Sequence, residues 1–292
     1  MSHAAAEIAS QPECWRRAVE QVDGYAAALP RDGERVAVTG CGTSWFIAQS
    51  YAALREARGR GETDAYAASE MPTTRRYDRV LAITRSGTTT EVLELLGKLP
   101  SGTPTVAITG TADSPVTRLA GDTVLLDWAD ERSVVQTRFA TSVLALLRTH
   151  LGEDLTRAVS DAERALADPL PLDPATVEQV TFLGRGWALG LANEAALKLR
   201  EAATFWTEAY PAMDYRHGPI SIAQPGRAVW SFGPPPDGLA GDVTRTGAEL
   251  VESDLDPLAD LVRVHRLALA LASHRGLDVD NPRALTRSVV LD

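Results

Sequence analysis

Short apolar runs alternate with stretches of helical periodicity along most of this chain. The runs RVAVT (35–39), VLAIT (80–84) and TVAIT (105–109) each lead into a polar loop, and apolar positions every three or four residues resume beyond it. Buried parallel strands appear as continuous apolar runs because helices cover both faces of their sheet. The pattern predicts an α/β fold, with helices over residues 12–29 and 133–151.

The same order of patterns begins again about half a chain later. VTFLG (180–184) runs into a Gly-x-Gly loop and then a helix, as residues 36–56 do, and three prolines between 168 and 174 separate the two halves. We therefore predict two tandem α/β lobes, each a parallel sheet flanked by helices. The predicted boundaries are an N-terminal helical segment (1–34), a first lobe (35–167), a linker (168–175) and a second lobe (176–292).

Composition narrows the class of partner. The chain has 292 residues, a formal net charge of −10 and no cluster of Lys and Arg, so we expect no nucleic-acid partner. Two cysteines fit a reducing cytoplasm, and the five histidines lack metal-ligand spacing, so no metal is expected. We see no signal peptide and no apolar stretch of the ~20 residues that spans a bilayer, which predicts a cytoplasmic protein without a membrane partner.

The loop TRSGTTT (84–90) carries the first candidate chemistry. It follows a predicted strand and enters a helix, where free backbone N–H groups and the helix dipole favour an anion such as phosphate. Glycine lets the backbone approach, Ser86, Thr88 and Thr89 can donate hydroxyls, and Arg85 can add charge. The loop Gly40–Ser44 is expected at the same edge of the sheet.

Other interpretations of these loops are open or disfavoured. Thr88-x-x-Glu91 has the spacing of a capping box, which needs no ligand. No Walker sequence occurs, and neither Gly-x-Gly loop completes the dinucleotide fingerprint. The expected ligand is therefore a phosphorylated small molecule, with no cofactor.

Residues 193–220 form the second candidate site. An apolar stripe at helical spacing is predicted to be buried; it comprises Ala192, Ala195, Ala196, Leu199, Ala203 and Trp206. Glu194, Lys198 and Glu201 lie over one another on another face, which on spacing alone favours a solvated face with an ion pair. With His217 they also supply the acid and base groups that move protons on a sugar.

Six motifs in order resemble one known family. GCGTS, TRSGTTT, FLGRG, EAALKLRE, EAYPAMDYRHGP and DVDNPRALTRSVVLD are similar to the SIS (sugar isomerase) domain group, most closely the isomerase half of glucosamine-6-phosphate synthases. The resemblance runs from about Val36 onward. It implies two tandem SIS lobes of flavodoxin-like, three-layer architecture.

The resemblance also implies roles for particular residues. Glu201 matches the base that shuttles a proton between C1 and C2, and Lys198 matches a lysine that lines the site. His217 matches the ring-opening histidine, which the family contributes across a homodimer interface. The loop residues Thr84, Arg85, Ser86 and Thr89 match the family's phosphate-binding loop, and Gly42, Thr43 and Ser44 match a loop that contacts the sugar. We also expect Thr88, Gln136 and Arg287 among the substrate- and phosphate-binding residues.

Two departures from the family pattern shape the expected activity. Arg287 stands where the family has a Schiff-base lysine, and a guanidinium does not do that chemistry. Neither Cys14 nor Cys41 is placed as the glutaminase nucleophile would be. We therefore expect an amino-sugar-phosphate deaminase/isomerase or a ketosamine-phosphate deglycase without glutaminase activity. The alternative is a non-catalytic phosphosugar sensor, although residues 1–34 are too short and insufficiently basic for a helix-turn-helix.

Overall fold

The computed structural model describes residues 2–291 and divides into two compact units. The first-sheet unit consists of Glu13–Leu155 and the segment from Thr286 onward. The second-sheet unit consists of the residues up to Pro12 together with Thr156–Leu285. The chain begins with helices α1 (His3–Ala9) and α2 (Gln11–Tyr25), so α2 starts in one unit and ends in the other.

The first sheet has five parallel strands in the order β2-β1-β3-β4-β5, the order of flavodoxin-type doubly wound sheets. Helix α3 packs against α6, and α4 packs against α5. The strands are β1 (Val36–Gly40), β2 (Thr63–Ala67), β3 (Arg79–Ile83), β4 (Thr105–Thr109) and β5 (Asp122–Leu125), and the helices are α3 (Thr43–Ala57), α4 (Thr90–Lys98), α5 (Pro115–Leu119) and α6 (Arg138–His150).

The second sheet has four parallel strands in the order β7-β6-β8-β9. Helices α8 and α10 pack against each other, and α10 also contacts α7 and α1. The strands are β6 (Gln179–Gly184), β7 (Thr207–Pro211), β8 (Arg227–Phe232) and β9 (Glu249–Val251), and the helices are α7 (Thr156–Ala167), α8 (Ala188–Ala203), α9 (Leu239–Thr246) and α10 (Pro257–His274).

The predicted α/β fold with parallel sheets flanked by helices is confirmed. Strands β1 and β3 are buried along their whole length, as continuous apolar runs require. The edge strands β2 and β7 were missed, because their sequences TDAYA and TEAYP are half-exposed and carry no apolar run. The unit boundaries also fall at other residues than the predicted linker, since α7 belongs to the second-sheet unit.

Two local predictions differ from the structure. The helix predicted over 133–151 begins only at Arg138, so the preceding residues form a loop after β5. Trp206, predicted to be buried, is 48% exposed. Helix α8 ends at Ala203 and Thr204 adopts a left-handed conformation (φ 48°), which takes Trp206 off the helical stripe and places its ring 4.7 Å from the Arg227 guanidinium. The rest of the stripe is buried.

Within residues 2–291, no helix is long and apolar enough to cross a bilayer. No cluster of three or more His, Cys, Asp or Glu side chains that could hold a metal ion occurs in this part of the chain.

Candidate functional site

The hydroxyl-rich loop connects the carboxyl end of β3 to the first turn of α4. Gly87 lies at its centre with φ +66°, a left-handed conformation, and a Cβ added there would come within 2.1 Å of the Ser114 Oγ. Glycine is therefore required both by the backbone conformation and by the close approach of the following loop. The Gly87 N–H donates to the Thr84 Oγ1 (3.3 Å), which tightens the turn.

The capping-box interpretation of this loop does not describe the structure. Thr89, not Thr88, is the N-cap of α4, and its side chain makes no capping hydrogen bond. The Thr88 hydroxyl instead bonds to the Ser86 Oγ (3.0 Å) and the Ser288 Oγ (2.9 Å). Helix capping therefore does not account for the hydroxyls of Thr88 and Thr89.

A small cavity of about 30 Å³ lies beside this loop, enough for about two water molecules. Seven of the ten predicted substrate- and phosphate-binding residues line it: Ser44, Thr84, Arg85, Ser86, Thr89, Gln136 and Arg287, together with Cys41, Ile83 and Val92. Gly42, Thr43 and Thr88 are not among the lining residues. Gly42, with φ 54°, is the N-cap of α3, and Thr43 begins that helix, so both lie next to the cavity residue Ser44.

The Arg85 side chain donates hydrogen bonds to main-chain carbonyls. Its side chain is almost fully buried and donates to the carbonyl oxygens of Ser133 (2.8 Å), Val134 (3.2 Å) and Arg287 (3.1 Å). The Glu131 carboxylate lies 3.8 Å from the Arg85 guanidinium, and both side chains are inaccessible to solvent. Arg85 thus joins the hydroxyl-rich loop (84–90) to two other segments, and Glu131 balances its charge.

Glu131 also organises the start of α6. Its Oε1 accepts hydrogen bonds from the Thr137 N–H (2.6 Å), the Thr137 hydroxyl (2.7 Å) and the Arg138 N–H (2.8 Å). A carboxylate at a helix N-terminus is favoured by the helix dipole and by otherwise unpaired N–H groups. The loop that carries Gln136 into the cavity is therefore fixed at both ends.

The segment 286–291 returns to the hydroxyl-rich loop (84–90). The Val289 carbonyl accepts from the Thr90 N–H (3.1 Å), and the Leu291 N–H donates to the Thr90 Oγ1 (2.8 Å). The Arg287 guanidinium donates to both carboxylate oxygens of Asp130, at 2.6 and 2.7 Å, and to the Glu131 carbonyl. This segment completes the cavity wall from a position far along the chain.

The cavity wall includes a neutral thiol and an amide oxygen without a hydrogen-bond partner in the described part of the chain. Burial, with a smaller contribution from the Glu91 carboxylate, raises the pKa of the Cys41 thiol to about 11, so this cysteine is a neutral thiol at physiological pH. The Gln136 Oε1 is buried without a hydrogen-bond partner in the described part of the chain. An incoming hydroxyl could satisfy it.

In the second-sheet unit, α8 buries a charged cluster. The Lys198 Nζ lies 2.5 Å from the Glu201 Oε2 and 3.4 Å from the Glu194 Oε1. The side chains of Lys198 and Glu194 are 1% exposed, whereas that of Glu201 is 20% exposed. The solvated-face interpretation is therefore wrong: the lysine is held inside the unit, and only Glu201 reaches solvent.

A buried histidine lies in the same unit. The Gln11 Nε2 is 3.2 Å from the His265 Nδ1 and also donates to the Ile8 carbonyl (3.1 Å). Burial, and then the Lys198 charge, lowers the pKa of His265 to about 3, so this imidazole is neutral. Because both Gln11 Nε2 contacts use its N–H groups as donors, Nδ1 is the acceptor and the ring proton resides on Nε2.

His217 occupies a different environment from Glu201 and Lys198. It ends a short 3₁₀ turn, Asp214–His217, after β7, and it is exposed, as is Met213 just before this turn. Within residues 2–291 it makes no hydrogen bond or ion pair. The structure thus brings Lys198 and Glu201 together and leaves His217 facing solvent.

The profile of the SIS domain family matches residues 31–149, which contain all five strands of the first sheet. Residues 31–149 therefore resemble a SIS domain. The SIS domain contains every residue that lines the cavity except Arg287.

The chain also has relatives along nearly its whole length. It is 26% identical over 334 residues to glutamine–fructose-6-phosphate aminotransferase (isomerizing) of Sulfolobus acidocaldarius, an alignment that covers 98% of this chain. The same alignment covers 56% of that relative, so the chain spans about half the length of the curated proteins it matches.

Solved structures share the fold of this chain. The glucosamine-6-phosphate deaminase of Thermotoga maritima superposes with a TM-score of 0.80 at 23% identity and covers 99% of this chain and 100% of its own. The tagatose-6-phosphate ketose/aldose isomerase of Escherichia coli gives a TM-score of 0.80 at 18% identity, with 96% and 95% covered. At these identities the likeness shows the fold.

Sequence reasoning missed three residues that shape the cavity of the SIS domain: Asp130, Glu131 and Ser288. Asp130 and Glu131 directly precede a polar loop and a helix, which is the sequence context of a helix-capping carboxylate, so part of that signal was present. Ser288 had no local signal, because it reaches Thr88 through a contact 200 residues apart in sequence.

Proposed function

We propose that this SIS-domain protein is a phosphosugar isomerase-type enzyme that acts on an amino-sugar phosphate of the hexose 6-phosphate class. The proposed reaction is that of a deaminase/isomerase or a deglycase, without glutaminase activity and without a cofactor. Similarity to an isomerizing aminotransferase supports this reaction class, and the fold shared with a deaminase and a ketose/aldose isomerase is compatible with it.

Phosphate binding is assigned to the cavity of the first-sheet unit. The hydroxyls of Ser44, Ser86 and Thr89 line it, and the left-handed Gly87 lets the backbone N–H groups of the loop approach a ligand. A hydroxyl that accepts one hydrogen bond can still donate its own proton to a phosphoryl oxygen. The positive end of α4 adds to this preference for an anion.

Proton transfer is assigned to Glu201, and one observation carries this assignment. The buried Lys198 ammonium fixes the Glu201 Oε2 at 2.5 Å, while the Glu201 side chain remains 20% exposed, so its other oxygen can reach a substrate. In the proposed step this carboxylate removes the proton from C2 (or C1) of the open-chain sugar. It returns the proton to the neighbouring carbon through an enediol or enolamine, and a base placed in this way contributes about 10²–10⁴-fold to rate.

The test compares Glu201→Gln with the wild type on fructose 6-phosphate, glucosamine 6-phosphate and fructosamine 6-phosphate. Released ammonia, aldose and ketose are measured, and ligand affinity is measured separately by calorimetry. We expect Glu201→Gln to lose turnover by at least about 100-fold while phosphate-ester affinity stays near the wild-type value. Glu249→Gln, an exposed carboxylate on β9, is the matched control and should retain turnover.

Two results would contradict this assignment. Wild-type turnover in Glu201→Gln would exclude Glu201 as the base. A wild-type protein that binds these esters but converts none of them would favour the alternative, a non-catalytic phosphosugar sensor.

We further propose that the second sheet and its helices form a second SIS-type lobe and that the protein acts as a homodimer. Exposed His217, next to exposed Met213, supports a role for this histidine at a subunit interface. If His217 serves the partner's substrate, mixing inactive Glu201→Gln and His217→Asn proteins should restore roughly a quarter of wild-type activity, because half the dimers gain one intact site of two. Absence of any recovery after subunit exchange would contradict this arrangement.

A further inference from the structure

The cavity beside the phosphate loop contains two arginines whose charges are already matched by acids. Arg85 faces Glu131, and Arg287 bonds to Asp130. The two pairs differ in accessibility: Arg85 and Glu131 are 1% and 0% exposed, whereas Arg287 and Asp130 are 38% and 32% exposed. The Arg85 pair is therefore a fixed part of the wall, and the Arg287 pair is open to exchange.

An ion pair with this much exposure contributes little to stability, because water screens it. A phosphate dianion offers the same planar guanidinium two strong acceptor oxygens, and such bidentate pairs are among the strongest charge-assisted hydrogen bonds. The bonds of Arg287 to Asp130 and Glu131 occupy three of its five N–H groups. Because Arg287 lines the cavity, its remaining N–H donors are those that a ligand in the cavity would meet.

The size of the cavity also indicates that the Arg287 side of its wall moves when a ligand binds. About 30 Å³ accommodates about two waters, which is less than a phosphoryl group with its oxygens requires. The loop side of the wall is fixed by Gly87 and by the buried Arg85 and Glu131. The part that can yield with least loss is the 286–291 segment, whose side chain in the cavity is Arg287.

We propose that Asp130 is a specificity-determining residue that holds Arg287 in the absence of ligand and releases it to the phosphate of the substrate. This inference rests on the proposed phosphate site and deepens it. Asp130 and phosphate compete for one guanidinium, and only a ligand that carries a dianion can replace the carboxylate as its bidentate partner. An unphosphorylated sugar cannot, which gives the pocket its preference for phosphate esters.

The exchange predicts opposite effects for the two halves of the ion pair. Asp130→Asn removes the competitor and should tighten binding of inorganic phosphate and of glucosamine 6-phosphate by about fivefold, which is about 1 kcal/mol. Arg287→Gln removes the donor and should weaken both by about tenfold. A merely structural ion pair would give changes of the same sign, because either substitution would loosen the segment equally.

A double variant separates exchange from simple charge repulsion. If Asp130 only repels phosphate, Asp130→Asn should tighten binding equally in the wild-type and Arg287→Gln backgrounds. Under exchange, the gain should fall to less than half in the Arg287→Gln background. Calorimetry measures the four affinities, and thermal unfolding confirms that each variant is folded; Asp130 is partly exposed, so the fold should tolerate asparagine.

Trypsin cleavage after Arg287 is an independent readout, followed by intact-mass spectrometry. Asp130→Asn should speed this cleavage, and saturating inorganic phosphate should slow it again, because phosphate then holds the guanidinium. Changes of equal sign, equal gains in both backgrounds, or cleavage unaffected by phosphate would each overturn the inference while leaving the proposed function intact. If the wild type binds no phosphate ester at all, the proposed function fails as well.

Discussion

Replacing Gly87 by alanine should lower the stability of the first-sheet unit and weaken ligand binding at the proposed phosphate site. A non-glycine residue at φ +66° costs about 1 kcal/mol. The new Cβ would stand 2.1 Å from the Ser114 Oγ and 2.9 Å from the Val116 Cγ1, so the Ser114 hydroxyl must leave the Thr111 carbonyl that it bonds at 3.0 Å. That lost bond adds about 1 kcal/mol, and overpacking adds about 1 more. The expected total is about 3 kcal/mol.

Gly102→Ala provides the matched control. Gly102 has a similar backbone conformation (φ +81°), but nothing lies within 4 Å of an added Cβ, so only the conformational cost of about 1 kcal/mol applies. Urea unfolding followed by circular dichroism measures both variants. Phosphate-ester affinity should fall roughly tenfold or more in Gly87→Ala, because the loop N–H groups are displaced, and stay unchanged in Gly102→Ala.

Ser114→Gly in the Gly87→Ala background should recover part of both losses, since it removes the side chain that the new Cβ meets. If Gly87→Ala is as mild as Gly102→Ala and keeps its affinity, the loop is not held by this contact and the phosphate-site geometry described above is wrong.

Two further predictions follow from shifted pKa values. The pKa of His265 falls from its usual 6.5 to about 3 in the folded protein, so its contribution to stability is present above pH 6.5 and is lost as the pH falls toward 3. The urea midpoint of the wild type should therefore drop more steeply than that of His265→Gln between pH ~6 and ~4, and parallel curves would contradict this. With a pKa of about 11, the Cys41 thiol should react with iodoacetamide at pH ~8 roughly 100-fold more slowly than an ordinary cysteine. The rate is measured by mass spectrometry on the Cys14→Ser variant, in which Cys41 is the remaining cysteine. A rate equal to that of an ordinary cysteine would contradict the buried environment.

The fully buried strands have the clearest sequence pattern in this fold. Strands β1 and β3 have apolar side chains on both faces, so their pattern is unambiguous. The edge strand β2 has the sequence TDAYA, which contains no continuous apolar run, and its pairing with β1 identifies it as a strand. Trp206 shows the reverse error: its spacing continued the apolar stripe, but Thr204 ended the helix first.

The candidate site was predictable to the extent that its residues are local in sequence. The cavity brings together Ser44, residues of the loop 84–90 and Gln136. Ser44 follows β1 and the loop follows β3, and these two strands are neighbours in the sheet, as expected for a site at the carboxyl ends of parallel strands. Gln136 comes from the longer connection between β5 and α6. The roles of Arg85 and Arg287 were not predictable, because each depends on partners more than 40 residues away, such as Glu131 and Asp130. A sequence shows which charges are present but not which acids neutralise them.

The return of residues 286–291 to the first-sheet unit has a consequence for how the pocket is made. The ribosome finishes the five strands of the first sheet long before it reaches Thr286, so nascent protein passes through a stage in which Thr90 lacks its Val289 acceptor and Arg85 lacks one of its three carbonyls. A shortened gene that stopped at Leu155 would encode the sheet with an unfinished cavity wall. Under the proposed function, ligand affinity would then appear only when residues 286–291 were supplied, even as a separate peptide.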